Sequence, residues 1–186
     1  MVERNLAKVD VASSTLVSRS TAQAVTSSLC CMPCHHFPPM SRHFFIQYPT
    51  IMSITVITSI SKPLNHVWNC FTQPEHIIHW NQASEDWECP KAENDLKVGG
   101  KFVYTMSAKD GSMSFEFWGI YDEIQHEALI AYTLGDERKV SVAFHAEGDH
   151  VIVTEIFDPE QVHSEELQKA GWQAILDSFK SYCESI

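Results

Sequence analysis

Few side chains in this sequence have the types and spacing that metal or cofactor chemistry requires. Near the N-terminus, Cys31-Met32-Pro33-Cys34-His35 matches C-x-x-C-H, the spacing used for covalent haem attachment. Cys30, Cys34, His35 and His36 offer the thiolate and imidazole groups that also suit zinc. Haem attachment needs an exporting signal, and a structural zinc site normally uses two ligand pairs separated by a loop. Since neither is visible, we interpret the pattern as a chance match and expect no metal and no cofactor.

A second candidate for chemistry is the carboxylate of Glu155, which lies within an apolar run. In one strand register Glu155 shares a face with Val151, Val153 and Phe157 and points inward. In the other register Ile152 and Ile156 are buried and Glu155 faces solvent. The cost of burying an isolated carboxylate favours the second register. No nucleophile motif or phosphate-binding loop is present in the sequence, so we assign no catalytic residue.

Aromatic side chains are the strongest candidates for contacts with a ligand. The functional interpretation is that they form the wall of an apolar pocket, and the structural alternative is that each fills the core. The predicted ligand-binding residues are Trp80, Trp87, Phe102, Tyr104, Phe117, Tyr132, Phe144, Trp172 and Leu176.

The order of predicted elements from Met52 onward is one strand, two short helices, an antiparallel meander and a long helix. Ser61 with Pro63 and the sequence Thr72-Gln73-Pro74-Glu75 provide start signals for the two short helices. Short turns such as Asp110-Gly111 join the later strands, which indicates antiparallel neighbours. The predicted strands cover 54–60, 101–106, 115–124, 129–134, 140–145 and 151–157.

The long C-terminal helix is predicted to begin near Asp158 or near Ser164 and to end near Glu184. Its broad apolar face must lie on a large surface, and the meander is the one available. Gly171 in the middle of this helix costs about 1 kcal/mol relative to alanine, which indicates close approach of a backbone or a bulky ring. The fold class is therefore α+β, with a curved antiparallel sheet wrapped around the C-terminal helix.

Charge divides the chain into two parts, 1–51 and 52–186. The first part holds four basic and two acidic side chains, whereas the second holds nine basic and 22 acidic ones. The net charge of −11 argues against binding to nucleic acid. No stretch has the roughly 20 apolar residues that a membrane span needs. Scattered cysteines at Cys70, Cys89 and Cys183 are typical of a reduced compartment, so we expect a cytoplasmic protein.

The segment 1–51 is rich in serine and threonine, and it is interrupted by prolines. We interpret it as a disordered or accessory extension. Two further interpretations remain open, a transit-like peptide and an over-extended gene model with Met52 as the natural start. The domain proper is expected over 52–186.

Several motifs resemble the START-like (SRPBCC) superfamily, and within it bacterial proteins similar to the C-terminal domain of the activator of the heat-shock-protein-ninety ATPase. They occur in the family's order over about 52–184. These motifs are Pro63…Val67-Trp68, Thr72-x-Pro74-Glu75-His76 with Trp80, Val98-Gly99-Gly100-Lys101-Phe102, Gly119-x-Tyr121-x-Glu123-Ile124 and Gly171-Trp172-Gln173-Ala174-Ile175-Leu176.

The resemblance implies a helix-grip fold with a cavity between the sheet and the C-terminal helix. It also implies three possible functions. The first, which we favour, is binding of an apolar small molecule such as a lipid, a hormone-like compound or a polyketide. The second is a co-chaperone-like module that binds a heat-shock ATPase or another protein, and the third is a polyketide cyclase or aromatase. Cavity volume separates the first function from the second, and an ionisable group deep in the cavity separates the third from the first. The sequence leaves monomer and homodimer open.

Overall fold

The computed structural model of the protein describes residues 53–186. The extension predicted over 1–51 and the C-x-x-C-H pattern within it lie outside the described residues. The described elements are β1 (Ile54–Ile60), α1 (Leu64–Thr72), α2 (Pro74–Trp80), β2 (Trp87–Asn94), β3 (Lys101–Ala108), β4 (Ser114–Gln125), β5 (Leu129–Leu134), β6 (Lys139–Glu147), β7 (His150–Phe157) and α3 (Glu165–Ser185).

The described strands form one antiparallel sheet in the order β1-β7-β6-β5-β4-β3-β2. Strands β2 to β7 are a meander, and β1 pairs with β7 in a register that joins Ile54 to Phe157 and Ile60 to Val151. The sheet is curled, and its inner face together with α1, α2 and α3 encloses the core. The predicted α+β helix-grip architecture is confirmed.

Helix α3 is attached to the exposed edge of the sheet along β1. The side-chain amide of Gln173 accepts a hydrogen bond from the Ile57 N–H (3.3 Å) and donates one to the Ile57 carbonyl (3.1 Å). Lys180 donates to the Ser59 carbonyl, and the Glu184 carboxylate accepts from the Ser61 N–H at 2.9 Å. These contacts satisfy backbone groups that an edge strand would otherwise expose to water or to another chain.

Aromatic packing also holds α3 against the sheet and the two short helices. The indole of Trp172 stacks on Phe157 with ring centroids 4.1 Å apart and an interplanar angle of 15°. Phe179 packs edge-on against Phe71 and Trp80, so α3 also holds the two short helices. Gly171 is buried in the same helix.

Strand β2 was missed by the sequence analysis. Its eight residues include Pro90 and are mostly exposed or half-buried, and a register shift between Glu88 and Lys91 interrupts its pairing with β3. An edge strand with an irregular register shows little alternation of apolar and polar residues. Periodicity alone therefore gives no signal for it.

The predicted starts of the short helices were also wrong. Helix α1 has Pro63 as its N-cap and α2 has Gln73, neither with a side-chain cap. Thr72 is instead the buried last residue of α1, where its hydroxyl donates to the Trp68 carbonyl at 2.8 Å. For α3 the later of the two predicted starts is correct, because the Ser164 hydroxyl accepts a hydrogen bond from the Leu167 N–H.

Gly119 in β4 provides a test of the packing on the inner face. A Cβ atom there would lie 2.8 Å from the Phe102 ring and 2.9 Å from the Thr133 carbonyl oxygen. We expect Gly119→Ala to lower the free energy of unfolding by about 1–3 kcal/mol, the usual cost of overpacking. Urea denaturation followed by circular dichroism measures this loss. Glu116→Ala, at an exposed position on the same strand, is the matched control, and equal stability of the two variants would contradict the packing described.

Candidate functional site

A cavity lies between the inner face of the sheet and the three helices. Its volume is about 40 Å³, measured as the space open to the centre of a water-sized sphere. A single water needs about 10–15 Å³ of such space, so the cavity has room for about three waters. The lining residues are Phe71, Thr72, Trp80, Asn81, Phe102, Tyr104, Phe117, Tyr121, Ile130, Tyr132, Glu155, Ile175 and Leu176.

Most of the predicted ligand-binding residues lie together at this cavity. Those that line it come from α2, β3, β4, β5 and α3, so five elements contribute to the lining of the cavity. The residues in this group are Trp80, Phe102, Tyr104, Phe117, Tyr132 and Leu176. Their role as ligand contacts stays a prediction.

The other three predicted residues lie outside the cavity wall. Trp87 is half-buried and packs on Phe115 with ring centroids 5.9 Å apart. Phe144 is in the core against Trp68. Trp172 is occupied by its stacking on Phe157. In these positions the side chains fill the core, which was the structural alternative for each aromatic residue.

Glu155 is the acidic side chain of the cavity. It is 8% exposed and lies on the inner face of β7 with Val153 and Phe157, so the inward register holds. The Tyr132 hydroxyl donates a long hydrogen bond of 3.4 Å to Glu155 Oε1. The desolvation cost that favoured the outward register is outweighed, because the inward register buries Val151, Val153 and Phe157 together.

A chain of hydrogen bonds connects the cavity to the end of α1. Tyr121, which lines the cavity, donates to Asn94 Oδ1 at 2.6 Å, and Asn94 Nδ2 donates to the Thr72 carbonyl at 2.6 Å. These hydrogen bonds fix the orientation of the Tyr121 ring.

Burial keeps the cavity tyrosines neutral. It raises the pKa of Tyr121 from 10.0 to about 12. The pKa values of Tyr104 and Tyr132 are raised well above their usual range, mainly by burial, and for Tyr132 the negative charge of Glu155 adds to the effect. At neutral pH the cavity therefore presents hydroxyl donors beside one carboxyl group within an otherwise apolar wall.

Arg138 is a buried charge close to this site. It lies in the turn that joins β5 to β6. It is 8% exposed, and its Nε donates to Asp136 Oδ2 at 2.8 Å. Its Nη1 donates to the Asp158 carbonyl at 3.3 Å. Its positive charge acts to lower the pKa of Tyr132, opposing the effect of Glu155.

Sequence reasoning did not single out several of the lining residues. Tyr121 lay within a recognised family motif, and Asn81 directly follows Trp80, so both had a weak local signal. Ile175 also lay within a family motif, whereas Phe71 was predicted only on the apolar face of a helix and Ile130 only within a strand. Which apolar residue borders an empty space depends on how helices cross the sheet, and periodicity does not report this.

No helix among the described residues is long and apolar enough to cross a membrane.

Comparison with known proteins places the chain in a family. The profile of the family described as "Activator of Hsp90 ATPase homolog 1-like protein" matches residues 61–184. No curated protein matches the chain significantly.

Solved structures give the same result. The chain is similar to the AHSA1-like protein of Aeromonas hydrophila, with 39% identity and a TM-score of 0.69 over 72% of this chain and 93% of that one. It is also similar to the protein Chr148 of Cytophaga hutchinsonii, with 51% identity and a TM-score of 0.64 over 72% of this chain and 92% of that one. The protein NE0264 of Nitrosomonas europaea shares the fold at 15% identity, with a TM-score of 0.61 over 74% of this chain and 97% of that one.

The matched region spans both short helices, the meander and α3, and it contains every residue that lines the cavity. This chain therefore belongs to the family of activator of Hsp90 ATPase homolog 1-like proteins, with the helix-grip fold of the START-like superfamily.

Proposed function

We propose that this domain binds a compact, mainly apolar small molecule in the cavity between the sheet and α3. We further propose that the ligand directs a hydrogen-bond donor or a cationic group to Glu155. The observation that supports this most is the inward carboxyl group of Glu155, 8% exposed, in a wall built mostly from aromatic rings. Apolar pockets with a few convergent polar groups are typical of small-molecule sites.

Glu155 can recognise a ligand through its carboxyl oxygens. The Tyr132 hydroxyl donates to Oε1 at 3.4 Å, and an ionised carboxylate accepts hydrogen bonds at about four positions. A ligand donor would exchange with contacts that Glu155 makes within the protein, and an ammonium or amidine group would add an attraction of opposite charges in a low-dielectric site.

The volume of the cavity restricts the ligand. Space for about three waters is too small for a lipid chain in this state of the protein. A ligand with a ring requires some aromatic side chains of the wall to move outward. Ligands with one ring and one polar group are therefore favoured over the longer lipid or polyketide chains that the resemblance implied.

Acid–base catalysis is a second candidate function, and Glu155 favours it specifically. A titratable group deep in the cavity is the feature that distinguishes a cyclase-like enzyme from a simple binding protein. The Glu155 carboxyl group and the Tyr132 hydroxyl lie 3.4 Å apart at the cavity, where either could transfer a proton to or from a bound substrate. Conversion of a bound molecule, abolished in Glu155→Gln while binding persists, would distinguish the enzyme from the binding protein.

We expect the purified full chain to carry or take up such a ligand. Native mass spectrometry, followed by denaturing extraction, detects and identifies a co-purifying molecule. Glu155→Leu should weaken rebinding of the extracted molecule about ten- to a hundredfold, because a hydrogen bond to a charged group contributes about 1.5–3 kcal/mol.

The matched control for this experiment is Glu147→Leu, an exposed glutamate on the neighbouring strand β6, which should leave the affinity unchanged. A protein that is empty and also ignores a panel of aromatic amines, amidines and phenols would refute the proposal. That result would favour the co-chaperone-like role, with a protein partner on the outer surface.

The neutral tyrosines of the cavity predict a loss of stability at alkaline pH. In the unfolded chain Tyr121 ionises near pH 10.0, and in the folded protein near pH 12. Its contribution to stability is complete below pH 10 and is lost as the pH rises through about 12, with a slope of about 1.4 kcal/mol per pH unit. Urea denaturation at a series of alkaline pH values should show a shallower decline for Tyr121→Phe than for the native chain. Equal slopes would show that the Tyr121 hydroxyl is not buried as described.

A further inference from the structure

A cluster of three metal-ligating side chains lies where α1 meets the last turn of α3. His66 and Cys70 are four residues apart on α1, so they share one face of that helix. Cys183 approaches from α3. The ligand atoms of the three residues all lie within 4.8 Å of one another, and Nε2 of His66 is 3.6 Å from Sγ of Cys70.

These separations are close to those of donors that share one ion. Metal–sulfur bonds of about 2.3 Å and metal–nitrogen bonds of about 2.0–2.1 Å place the donor atoms of a trigonal or tetrahedral site roughly 3.5–4 Å apart. The 3.6 Å distance between His66 and Cys70 already lies in that range. Small side-chain rotations are therefore enough to bring all three donors to one ion.

A reactive cysteine is a poorer interpretation of this cluster. Both thiols are buried, which keeps a bulky electrophile from reaching either sulfur. Buried cysteines also occur as small apolar residues of the core, but that role does not require an imidazole beside them.

We propose that His66, Cys70 and Cys183 form a binding site for a thiophilic metal ion, with Cu(I) as the best fit. Two thiolates and one imidazole are soft or borderline ligands, and such sets select Cu(I) and zinc over hard cations. Among the described residues the cluster comprises three ligands, whereas structural zinc sites almost always have four. On binding, the two thiol protons leave to solvent and two metal–sulfur bonds form.

The site is separate from the cavity, because none of its three residues lines that space. Cys70 and Cys183 are buried while His66 is only half-buried, so an ion reaches the thiols from the side of the imidazole. His66 Nε2 donates to the Cys183 carbonyl oxygen at 3.1 Å. Metal binding would break this hydrogen bond, and the ring proton would then be carried by Nδ1. This proposal departs from the sequence analysis, which expected no metal and did not connect these three residues.

The full chain tests the proposal once its three N-terminal thiols are removed. Cys30, Cys31 and Cys34 would compete for a thiophilic ion, so all three are changed to serine in every protein compared. Competition under reducing, anaerobic conditions against a chromogenic Cu(I) chelator, and in parallel against a Zn(II) chelator, measures stoichiometry and affinity. We expect one equivalent of Cu(I), and at least a hundredfold loss of affinity in Cys70→Ala/Cys183→Ala.

Cys89→Ala is the matched control, since Cys89 is equally buried but lies outside the cluster. It should bind Cu(I) as tightly as the parent protein. His66→Gln should lose at least tenfold, and it keeps the test decisive if the double cysteine variant fails to fold. Zinc uptake with the same dependence on the three residues would support the site and correct the identity of the ion. Absence of binding of both ions, or binding unchanged in the His66 and cysteine variants, would overturn the proposal.

Discussion

The attachment of α3 to the sheet is the constraint on which the rest of the structure depends. The long helix has a broad apolar face, and the curled sheet has an apolar inner face. Each face must be buried against another element, and the helix and the sheet bury one another. The stack of Trp172 on Phe157 at 4.1 Å sets how deeply the helix lies in the sheet. Gln173, with its two hydrogen bonds to Ile57, sets its position along β1.

This attachment also creates the cavity. Ile175 and Leu176 of α3 form one wall, and aromatic residues of β3 to β5 form the opposite wall. The hydroxyl of Tyr121, which also lines the cavity, is held by hydrogen bonds that run through Asn94 to the end of α1. The carboxyl group of Glu155 is brought to this space by the register of β7, which is in turn fixed by pairing with both β1 and β6.

Much of this fold could be predicted from the sequence, because most strands alternate and α3 has a distinct apolar face. The strand β2 could not, since Pro90 and a register shift remove the alternation. The orientation of β7 was ambiguous for a different reason. Val151 and Val153 on one face and Ile152 and Ile156 on the other are nearly equal in apolar character, so only packing against neighbouring strands decides between the registers.

An aromatic lining for the candidate site could be predicted from the sequence, but the set of residues that form it could be predicted only in part. Six of the nine predicted residues line the cavity, whereas Trp87, Phe144 and Trp172 are used for packing elsewhere. A large aromatic side chain can line a cavity or pack in the core equally well. Its position in the sequence does not show which of these two roles it has. The small volume of the cavity, which narrows the proposed ligand to compact molecules, is a property of the packed helices and has no signature in the sequence.

The central claim is that the space between the sheet and α3 is a ligand site, and methyl-resolved NMR of the full chain tests it most directly. A set of single-ring compounds carrying an amine, an amidine or a hydroxyl group would be titrated while the methyl signals are followed. We predict saturable shifts at Ile130, Ile175 and Leu176, which line the cavity, and no shifts at Val98 and Val162, which are exposed. Shifts absent from the three cavity residues, or present equally at the exposed valines, would contradict the account.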